Sequence, residues 1–420
     1  MEKRIAFFGP LSPIDSGISD YDEELLPLLR NEYQIDVFTG SDTRHASAFH
    51  HSEFYFKQRR RPYDLIIYQM GNSLFHEYMY GYLFHFPGVI IFHDYCLHQS
   101  RATMLLSKGL IQEYIEEAKL DHPMGVEIGQ AVASGIFSEL FFYYFPFVRM
   151  LLKSALAAAA HTEIVAEKLR VTGTPVIHIP MAVLCEPCRL SQDPYPGKLV
   201  LASFGLATRA KRILQILPAI ARLARTRDNL LYLIVGSVGH HLHLEEEIQQ
   251  RGMEDLVKVT GRVGRKEFLE LMNRADIILN LRYPSAGEMS ATLLRAMACG
   301  KPVLISRIQF LREIPRDVAL RVRPDHEIED IYTNLEELIN DPDLRTRLGT
   351  AAKNHIETHH KAEQMVEGYR RLIELGFQRK ARFHPPGLPM HLRNGREIVR
   401  DYLKRTSFPR MDSDLLEWIL

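Results

Sequence analysis

The residues best placed to do chemistry lie in one stretch of the second half of the chain, Leu279–Pro302. An apolar run that predicts a strand ends there, and helical spacing of apolar residues predicts a helix that begins at Ser290. One cation, Arg282, and one acid, Glu288, stand between the two. In open α/β sheets, ligands bind beyond the carboxyl ends of strands, beside the helices that follow. We therefore expect a ligand-binding loop over residues 282–290.

Two turns in the first half of the chain also follow predicted strands and contain residues that could contact a ligand. Gly17 lies in a loop between a short apolar run and an amphipathic helix, where a glycine lets backbone N–H groups approach a ligand. This loop is not the GxGxxG fingerprint of dinucleotide-binding proteins. His93 and Asp94 stand where another predicted strand ends. A histidine beside an acid at that position is a candidate for chemistry, and a structural role is the alternative.

Predicted strands and helices alternate on both sides of a proline-rich, aperiodic segment. This pattern predicts an α/β protein with two facing Rossmann-like, doubly wound parallel-sheet domains and a helical C-terminal tail. We assign an N-terminal domain to 1–186, a linker to 187–198 and a second domain to 199–378. The tail, 379–420, is expected to pack back on the first domain.

Local sequence patterns predict individual helices and one connecting segment. Helices are predicted over about 100–158, and helices near 327–340 and 359–375 are predicted to close the second domain. The segment that contains Arg59, Arg60 and Arg61 is predicted as a solvated connection. Helical patches are expected in the tail near 393–404 and 413–419.

Composition excludes several classes of protein. Lysine plus arginine and aspartate plus glutamate each total 52 in 420 residues, so the net charge is zero and nothing indicates a nucleic-acid partner. Four cysteines are too few for a disulfide framework, which favours a reducing compartment. Cys185 and Cys188 have the spacing of a metal knuckle without a second pair, and His240–His243 forms only a weak metal motif.

No signal sequence is predicted at the N-terminus, and a cytoplasmic protein is expected. The nearest approach to a membrane span is Gly135–Ala160, which is rich in aromatic residues and alanine. Charged residues and a proline interrupt it, so buried helices are the favoured interpretation. Peripheral contact with the inner face of a membrane is the alternative.

Three motifs resemble those of a known family. Ser16–Tyr21 resembles its glycine loop, Phe204–Gly205 followed by Lys211 resembles its glycine-then-lysine segment, and Asn280–Pro302 resembles its C-terminal acidic signature. Their order and spacing over about 1–375 resemble the retaining nucleotide-sugar glycosyltransferases of the GT-B type, family 4 (glycosyl transferases group 1).

The resemblance implies an enzyme that transfers a sugar from a nucleotide-sugar donor, with retention of configuration and without a metal or cofactor. The donor would bind mainly to the second domain, and a glycan, a lipid-linked or another small acceptor would bind to the first. Lys211 would meet the charge that develops on the leaving phosphate, with Arg209 or Arg282 as a second cation. Many relatives have an arginine where this chain has Leu206, so the second cation has moved.

The acidic signature departs from the family pattern. Two glutamates eight positions apart are common there, and alignment through the AMA tail places Gly287 and Arg295 at those positions. Glu288 is therefore assigned as the sugar-facing acid, and Arg295 cannot accept ribose hydrogen bonds as a carboxylate does. The resemblance assigns catalytic roles to Lys211, Glu288, His93 and Asp94. It assigns donor binding to Gly17, Gly205, Arg209, Gly261, Val263, Arg282, Gly287, Met289 and Ser290.

Two other functions remain open at this point. The same architecture also serves nucleotide-sugar epimerases and phosphorylases. The missing second glutamate is compatible with a catalytically impaired subunit that binds sugar nucleotides or glycans.

Overall fold

The computed structural model describes residues 3–14, 16–41, 47–138, 140–183, 192–239, 241–384 and 387. The chain folds into two compact units. The first consists of the described parts of 1–180, 286–289 and 365–420, and the second of those of 181–285 and 290–364.

The first unit is built on a seven-stranded parallel sheet. Its strands in chain order are β1 (Arg4–Phe8), β2 (Gln34–Thr39), β3 (Ala48–His50), β4 (Leu65–Met70), β5 (Val89–Phe92), β6 (Ala157–Ala160) and β7 (Val176–His178). They lie in the order β3-β2-β1-β4-β5-β6-β7. The helices of this half are α1 (Gly17–Leu29), α2 (Phe54–Arg60), α3 (Glu77–His85), α4 (His98–Leu106), α5 (Ile111–Asp121), α6 (Gly125–Ala133), α7 (Phe141–Tyr144), α8 (Arg149–Ser154) and α9 (Glu163–Arg170).

The central strands of this sheet are buried on both faces, as their continuous apolar sequences require. β6 consists of four fully buried alanines. The sequence predicts helices to about residue 158 and then a strand that ends near His161. The helix prediction is therefore wrong for Ala157 and Ala158, and the predicted strand is confirmed. A short run of alanines shows no periodicity that distinguishes a strand from a helix. Here the pairing with β5 and β7 decides the conformation. The predicted connection around Arg59 contains α2.

The second unit has a six-stranded parallel sheet in the order β10-β9-β8-β11-β12-β13. Its strands are β8 (Leu199–Phe204), β9 (Leu230–Val235), β10 (Val257–Gly261), β11 (Ile277–Asn280), β12 (Val303–Ser306) and β13 (Leu320–Val322). The remaining helices of the chain are α10 (Ile213–Ala224), α11 (Leu244–Gln250), α12 (Arg265–Arg274), α13 (Ala291–Ala298), α14 (Glu327–Asn340), α15 (Pro342–His359) and α16 (Ala362–Lys380). The sequence predicts α14 and most of α16 but misses α15. Both predicted parallel sheets are confirmed.

Most of α16 belongs to the first unit, whereas the sequence places residues up to 378 in the second domain. The Tyr369 hydroxyl accepts hydrogen bonds from the Tyr21 hydroxyl at 3.1 Å and from Gln69 Nε2 at 2.9 Å. Arg370 pairs with Glu32. A hydrophobic periodicity reports that a helix is buried but not which sheet buries it, so the sequence could not place α16.

Several predictions fall outside the described residues. These are the cysteine pair at 185 and 188, part of the predicted linker, His240, and the helical patches near 393–404 and 413–419. In the part of the chain that the structure describes, no helix combines the length and the apolar character needed to cross a membrane.

Candidate functional site

The strand order of the second unit points to one place on its sheet. The order runs outward on one side through β8, β9 and β10, and on the other through β11, β12 and β13. In doubly wound sheets a ligand binds where the chain reverses direction in this way, at the carboxyl ends of the two central strands. Gly205 follows β8 and Leu281 follows β11. The predicted glycine-then-lysine and acidic motifs therefore begin at this switch point.

Lys211 places its ammonium at the carboxyl end of β8. Its Nζ donates a hydrogen bond to the carbonyl oxygen of Phe204 at 2.6 Å. Gly205 has φ +85°, and a Cβ there would lie 2.6 Å from Lys211 Nζ. The backbone conformation and the nearby cation both require glycine at position 205. The two residues predicted from the motif thus form one local structure.

A second close approach supports this loop. A Cβ at Gly236, the residue after β9, would lie 2.6 Å from the carbonyl oxygen of Gly205. Gly236 was not predicted as a site residue, although a glycine directly after a buried strand is a signal for close backbone contact. Gly261 ends the neighbouring β10 with φ +69° and has no atom within 4 Å of a built Cβ. Val263 follows it and is half-buried.

The N-terminus of α13 lies beside Gly205. Ser290 caps the helix, since its Oγ accepts a hydrogen bond from Leu293 N at 3.3 Å. Thr292 Oγ1 accepts from Asn280 Nδ2 at 3.0 Å and lies 2.9 Å from Ser290 Oγ. Thr292 Cγ2 would lie 3.7 Å from a Cβ on Gly205. The partial positive charge of the helix end and the Lys211 ammonium are therefore close to the same backbone.

Asn280 and Thr292 were missed as site residues. A polar residue at the end of an otherwise apolar strand was the available signal for Asn280. The sequence contains no comparable signal for Thr292, because a single threonine within a predicted helix does not form a recognisable motif.

The predicted second cations occupy different environments. Arg209 is exposed in a short 3₁₀ turn that ends at Lys211. Arg282 is half-buried, and its backbone N–H donates to Ser306 Oγ at 2.8 Å. The neighbouring Arg212, which the sequence analysis did not select, donates from Nε to both carboxylate oxygens of Glu327 at 2.9 Å. That ion pair occupies Arg212, so the cations predicted from sequence remain the candidates.

The acidic signature is divided by the fold. Ala286–Met289, which includes Gly287, Glu288 and Met289, belongs to the first unit, and Ser290 to the second. Within the first unit, Ala286 accepts a hydrogen bond from Cys96 N at 2.8 Å. Burial raises the pKa of the Cys96 thiol to about 12, and the nearby charge of Glu288 contributes. Arg295, which the resemblance aligns with the second glutamate of the family pattern, lies in α13 with 7 % of its surface exposed.

His93 follows β5 in the first unit and is buried. Its Nε2 lies 2.6 Å from Gln69 Oε1, while Gln69 Nε2 donates to Tyr369. Because an amide oxygen can only accept, His93 Nε2 is the donor in this arrangement. Burial, followed by the neighbouring His161 and His76, holds the pKa of His93 well below its usual value. His93 is therefore a neutral imidazole near pH 7.

Asp94 and Gly17 have structural contacts of their own. Asp94 Oδ2 accepts from Asn72 N at 2.6 Å, which fixes the loop after β4. Gly17 opens α1, and the cap is Ser16, whose Oγ accepts from Ser19 N at 3.0 Å. A Cβ on Gly71, in the β4 loop, would lie 2.4 Å from Ile18 Cδ1 and 3.3 Å from Asp94 Oδ2. The loop that contains Gly17 and the loop that contains Asp94, which were predicted separately from the sequence, therefore both contact Gly71.

The structure adds Asp22 to this region, a residue that the sequence analysis did not select. Asp22 is fully buried, and neither carboxyl oxygen has a hydrogen-bond partner. Burial raises the pKa of this carboxyl well above its ordinary value, with a smaller contribution from Glu23. The signal available in the sequence was an acid on the apolar face of α1, one helical turn after Ile18.

The sequence is similar to those of known glycosyltransferases. Residues 189–355 match the family described as glycosyl transferases group 1. The matched segment is less than half of the chain, and 189–355 is called the group 1-like segment. An uncharacterized glycosyltransferase of Methanocaldococcus jannaschii is 25% identical to this chain over 187 residues, which are 44% of this chain and 47% of the relative. The chain therefore spans about half the length of that relative.

Solved structures resemble the protein over most of its length. Sucrose-phosphate synthase from Thermosynechococcus elongatus has a TM-score of 0.64 at 15% identity, and the match covers 89% of this chain and 100% of the other. HepE from Anabaena, solved in complex with UDP-glucose, has a TM-score of 0.61 at 14% identity, with 88% and 99% covered. A glycosyltransferase from Rickettsia africae has a TM-score of 0.57 at 13% identity, with 89% and 98% covered. The predicted two-domain Rossmann-like (GT-B) fold is confirmed, and the group 1-like segment contains Gly205, Lys211 and α13.

Proposed function

We propose that the protein is a glycosyltransferase that moves a sugar from a nucleotide-sugar donor to an acceptor with retention of configuration and without a metal. The observation that carries the proposal is the position of the Lys211 ammonium. It lies at the switch point of the second unit's sheet, against Gly205 and close to the N-terminus of α13.

The chemistry of the donor explains why this arrangement matters. When the glycosidic bond of a nucleotide sugar breaks, negative charge develops on the departing diphosphate. A fixed ammonium and a helix N-terminus both stabilise such a charge, and they need no reorganisation at the moment of reaction. Lys211 and α13 would supply the positive charge that a metal ion supplies in other enzymes. Arg209 and Arg282 are the proposed second cations.

The remaining assignments concern the sugar and the acceptor. Glu288, two residues before the cap Ser290, is proposed to bind hydroxyl groups of the donor sugar together with Gly287 and Met289. Gly261 and Val263 are proposed to lie near the base, and Gly17 near the donor. The acceptor, a glycan, a lipid-linked or another small molecule, is proposed to bind to the first unit near His93 and Asp94. His93 would act as a neutral hydrogen-bonding group, since its burial disfavours the charged form and lowers its pKa.

One experiment tests the proposal. Purified protein is screened for thermal stabilisation by UDP-, GDP-, ADP- and TDP-sugars, and any stabilising donor is then assayed for hydrolysis and transfer. With that donor, Lys211→Ala should lose roughly 2–4 kcal/mol of transition-state stabilisation, the scale of one electrostatic contact. Lys266→Ala, at an exposed lysine of α12, is the matched control and should retain turnover. Full turnover by Lys211→Ala at saturating donor would contradict the assignment.

Arg295 motivates one alternative. A buried arginine where relatives carry a ribose-binding carboxylate fits a subunit that binds sugar nucleotides without turning them over. Donor-dependent stabilisation without hydrolysis or transfer would favour that function. Product analysis by NMR separates a transferase from an epimerase or phosphorylase and reports the configuration of the new bond.

A further inference from the structure

The second unit contains a cavity lined by residues that follow β12 and by one residue of β13. The cavity measures about 460 Å³, within the size range of small-molecule sites. Its lining includes four arginines, Arg307, Arg312, Arg316 and Arg321, together with the amide of Gln309. Among the described residues, no carboxylate lines it.

The local structure explains why these arginines converge. Arg307 follows β12, and its backbone N–H donates to the Val322 carbonyl of β13 at 2.7 Å. Arg321 lies within β13, opposite Ile305 of β12. Its Nη2 donates to the carbonyl oxygens of Leu311, at 3.2 Å, and of Ile314. The loop that carries Arg312 and Arg316 is thus folded around the Arg321 guanidinium.

The electrostatics of this cluster are unbalanced. Within the described residues, the hydrogen bonds and ion pairs of the structure give none of the four arginines a carboxylate partner. Glu313 and Asp317 lie in the same segment, but both are exposed and neither lines the cavity. Arg321 Nε is buried without a hydrogen-bond partner. Burial lowers the pKa of Arg321, and repulsion from Arg316 and Arg307 lowers it further. Arg307, Arg312 and Arg316 are exposed and Arg321 is half-buried, so four like charges converge where an anion would relieve their repulsion.

We propose that this cavity binds a phosphate or diphosphate group of a ligand other than the one held at the switch point. The planar guanidinium fork matches paired phosphate oxygens and binds them through two hydrogen bonds at once. β11 separates β12 from β8, so the cavity lies about two strand spacings, roughly 10 Å, from the end of β8. The ligand can be a free phosphorylated compound or a phosphate headgroup at a lipid surface, since both present the same chemistry.

The first experiment measures binding of inorganic pyrophosphate by calorimetry at constant ionic strength. All proteins carry Lys211→Ala, which weakens pyrophosphate binding at the switch point. The cavity variant adds Arg312→Gln and Arg316→Gln, two exposed positions. The matched control instead adds Arg225→Gln and Arg347→Gln, which remove the same charge from exposed positions of the same unit. Because Arg321 is left in place, the loop keeps its carbonyl contacts in both variants.

We expect the Lys211→Ala protein to bind pyrophosphate, the cavity variant to bind at least about tenfold more weakly, and the control to stay within about twofold. The proposal would be overturned if the Lys211→Ala protein bound neither pyrophosphate nor vesicles that contain phosphatidic acid. It would also be overturned if the cavity variant and the control variant changed the binding of each of these two probes equally. Failure here leaves the proposed transferase function intact, because that rests on Lys211.

The second probe is a set of vesicles that separates the two sources. Phosphatidylcholine vesicles with and without phosphatidic acid are sedimented with each protein. Sedimentation that requires phosphatidic acid and is lost in the cavity variant supports a lipid-borne phosphate. Pyrophosphate binding without sedimentation supports a free phosphorylated ligand.

Discussion

The Lys211 ammonium lies where a side chain at position 205 would begin, 2.6 Å from the place of a Cβ on Gly205. Lys211 Nζ is held by its hydrogen bond to Phe204, but the lysine side chain can adopt other rotamers. A larger residue at 205 would therefore displace the cation before it disturbed the backbone. The close approach therefore couples the identity of residue 205 to the position of the charge.

Gly205→Ala should separate activity from stability. The left-handed conformation alone costs roughly 1–2 kcal/mol for a residue with a Cβ. We expect that loss of stability together with a fall in kcat of at least about tenfold, since the cation no longer meets the leaving phosphate. Urea denaturation and steady-state kinetics with the identified donor measure the two effects.

Gly252→Ala is the matched control. Gly252 has φ +61°, and no atom lies within 4 Å of its built Cβ, so this variant carries the strain without displacing a neighbour. It should lose comparable stability and retain kcat. Equal kinetic effects of the two substitutions would show that strain, and not displacement of Lys211, is responsible.

Ser290→Ala should weaken donor binding as well as the helix that it caps. Removal of an N-cap costs about 1 kcal/mol of stability, and it also loosens the N–H groups that we propose to face the diphosphate. Asp341→Ala removes the cap of α15, where Asp341 Oδ1 accepts from Leu344 N at 2.8 Å. Both variants should be destabilised in chemical denaturation, but only Ser290→Ala should raise the donor Kd. An unchanged donor Kd in Ser290→Ala would exclude α13 from the donor site.

Arg212→Ala should be among the more destabilising single changes in the second unit. It removes the guanidinium that bonds to both oxygens of the buried Glu327 carboxylate, and a buried charge without its partner typically costs about 3–5 kcal/mol. Arg222→Ala, which breaks the exposed pair between Arg222 of α10 and Glu329 of α14, should cost no more than about 1 kcal/mol. Urea denaturation of both variants measures the difference, and equal losses would mean that water screens the Arg212–Glu327 pair.

The sequence predicts the two parallel sheets and the glycine turn after β8 well, for a physical reason. Runs such as Leu199–Phe204 are almost entirely apolar and are followed by a glycine, so they predict a buried parallel strand and the turn after it. The capping role of Ser290 is equally local, since the hydroxyl bonds to a residue three positions on. These features depend on neighbours in the chain.

Other features depend on partners far away in the chain. The buried network of Tyr369, Gln69 and His93 joins residues about 300 positions apart, and no periodicity encodes that pairing. The same holds for the membership of Ala286–Met289 in the first unit. The roles of the predicted site residues remain predictions, because they concern ligands and not the fold alone.

Asp22→Asn tests whether the buried carboxyl of α1 is held neutral. Its folded pKa is raised by burial, so above the unfolded pKa the unfolded chain releases a proton that the folded chain keeps. Wild-type stability should therefore decline from this group as pH rises from about 4 toward the raised folded pKa. Asparagine has no proton to release, so the Tm of the variant minus that of the wild type should increase as pH rises from about 4 toward the folded pKa of Asp22, as measured by differential scanning fluorimetry. Asp255→Asn, at an exposed position, should give a nearly constant difference over the same range. If the Asp22→Asn difference were also constant, the carboxyl would have to be ionised in the folded protein, with a compensating partner close to it.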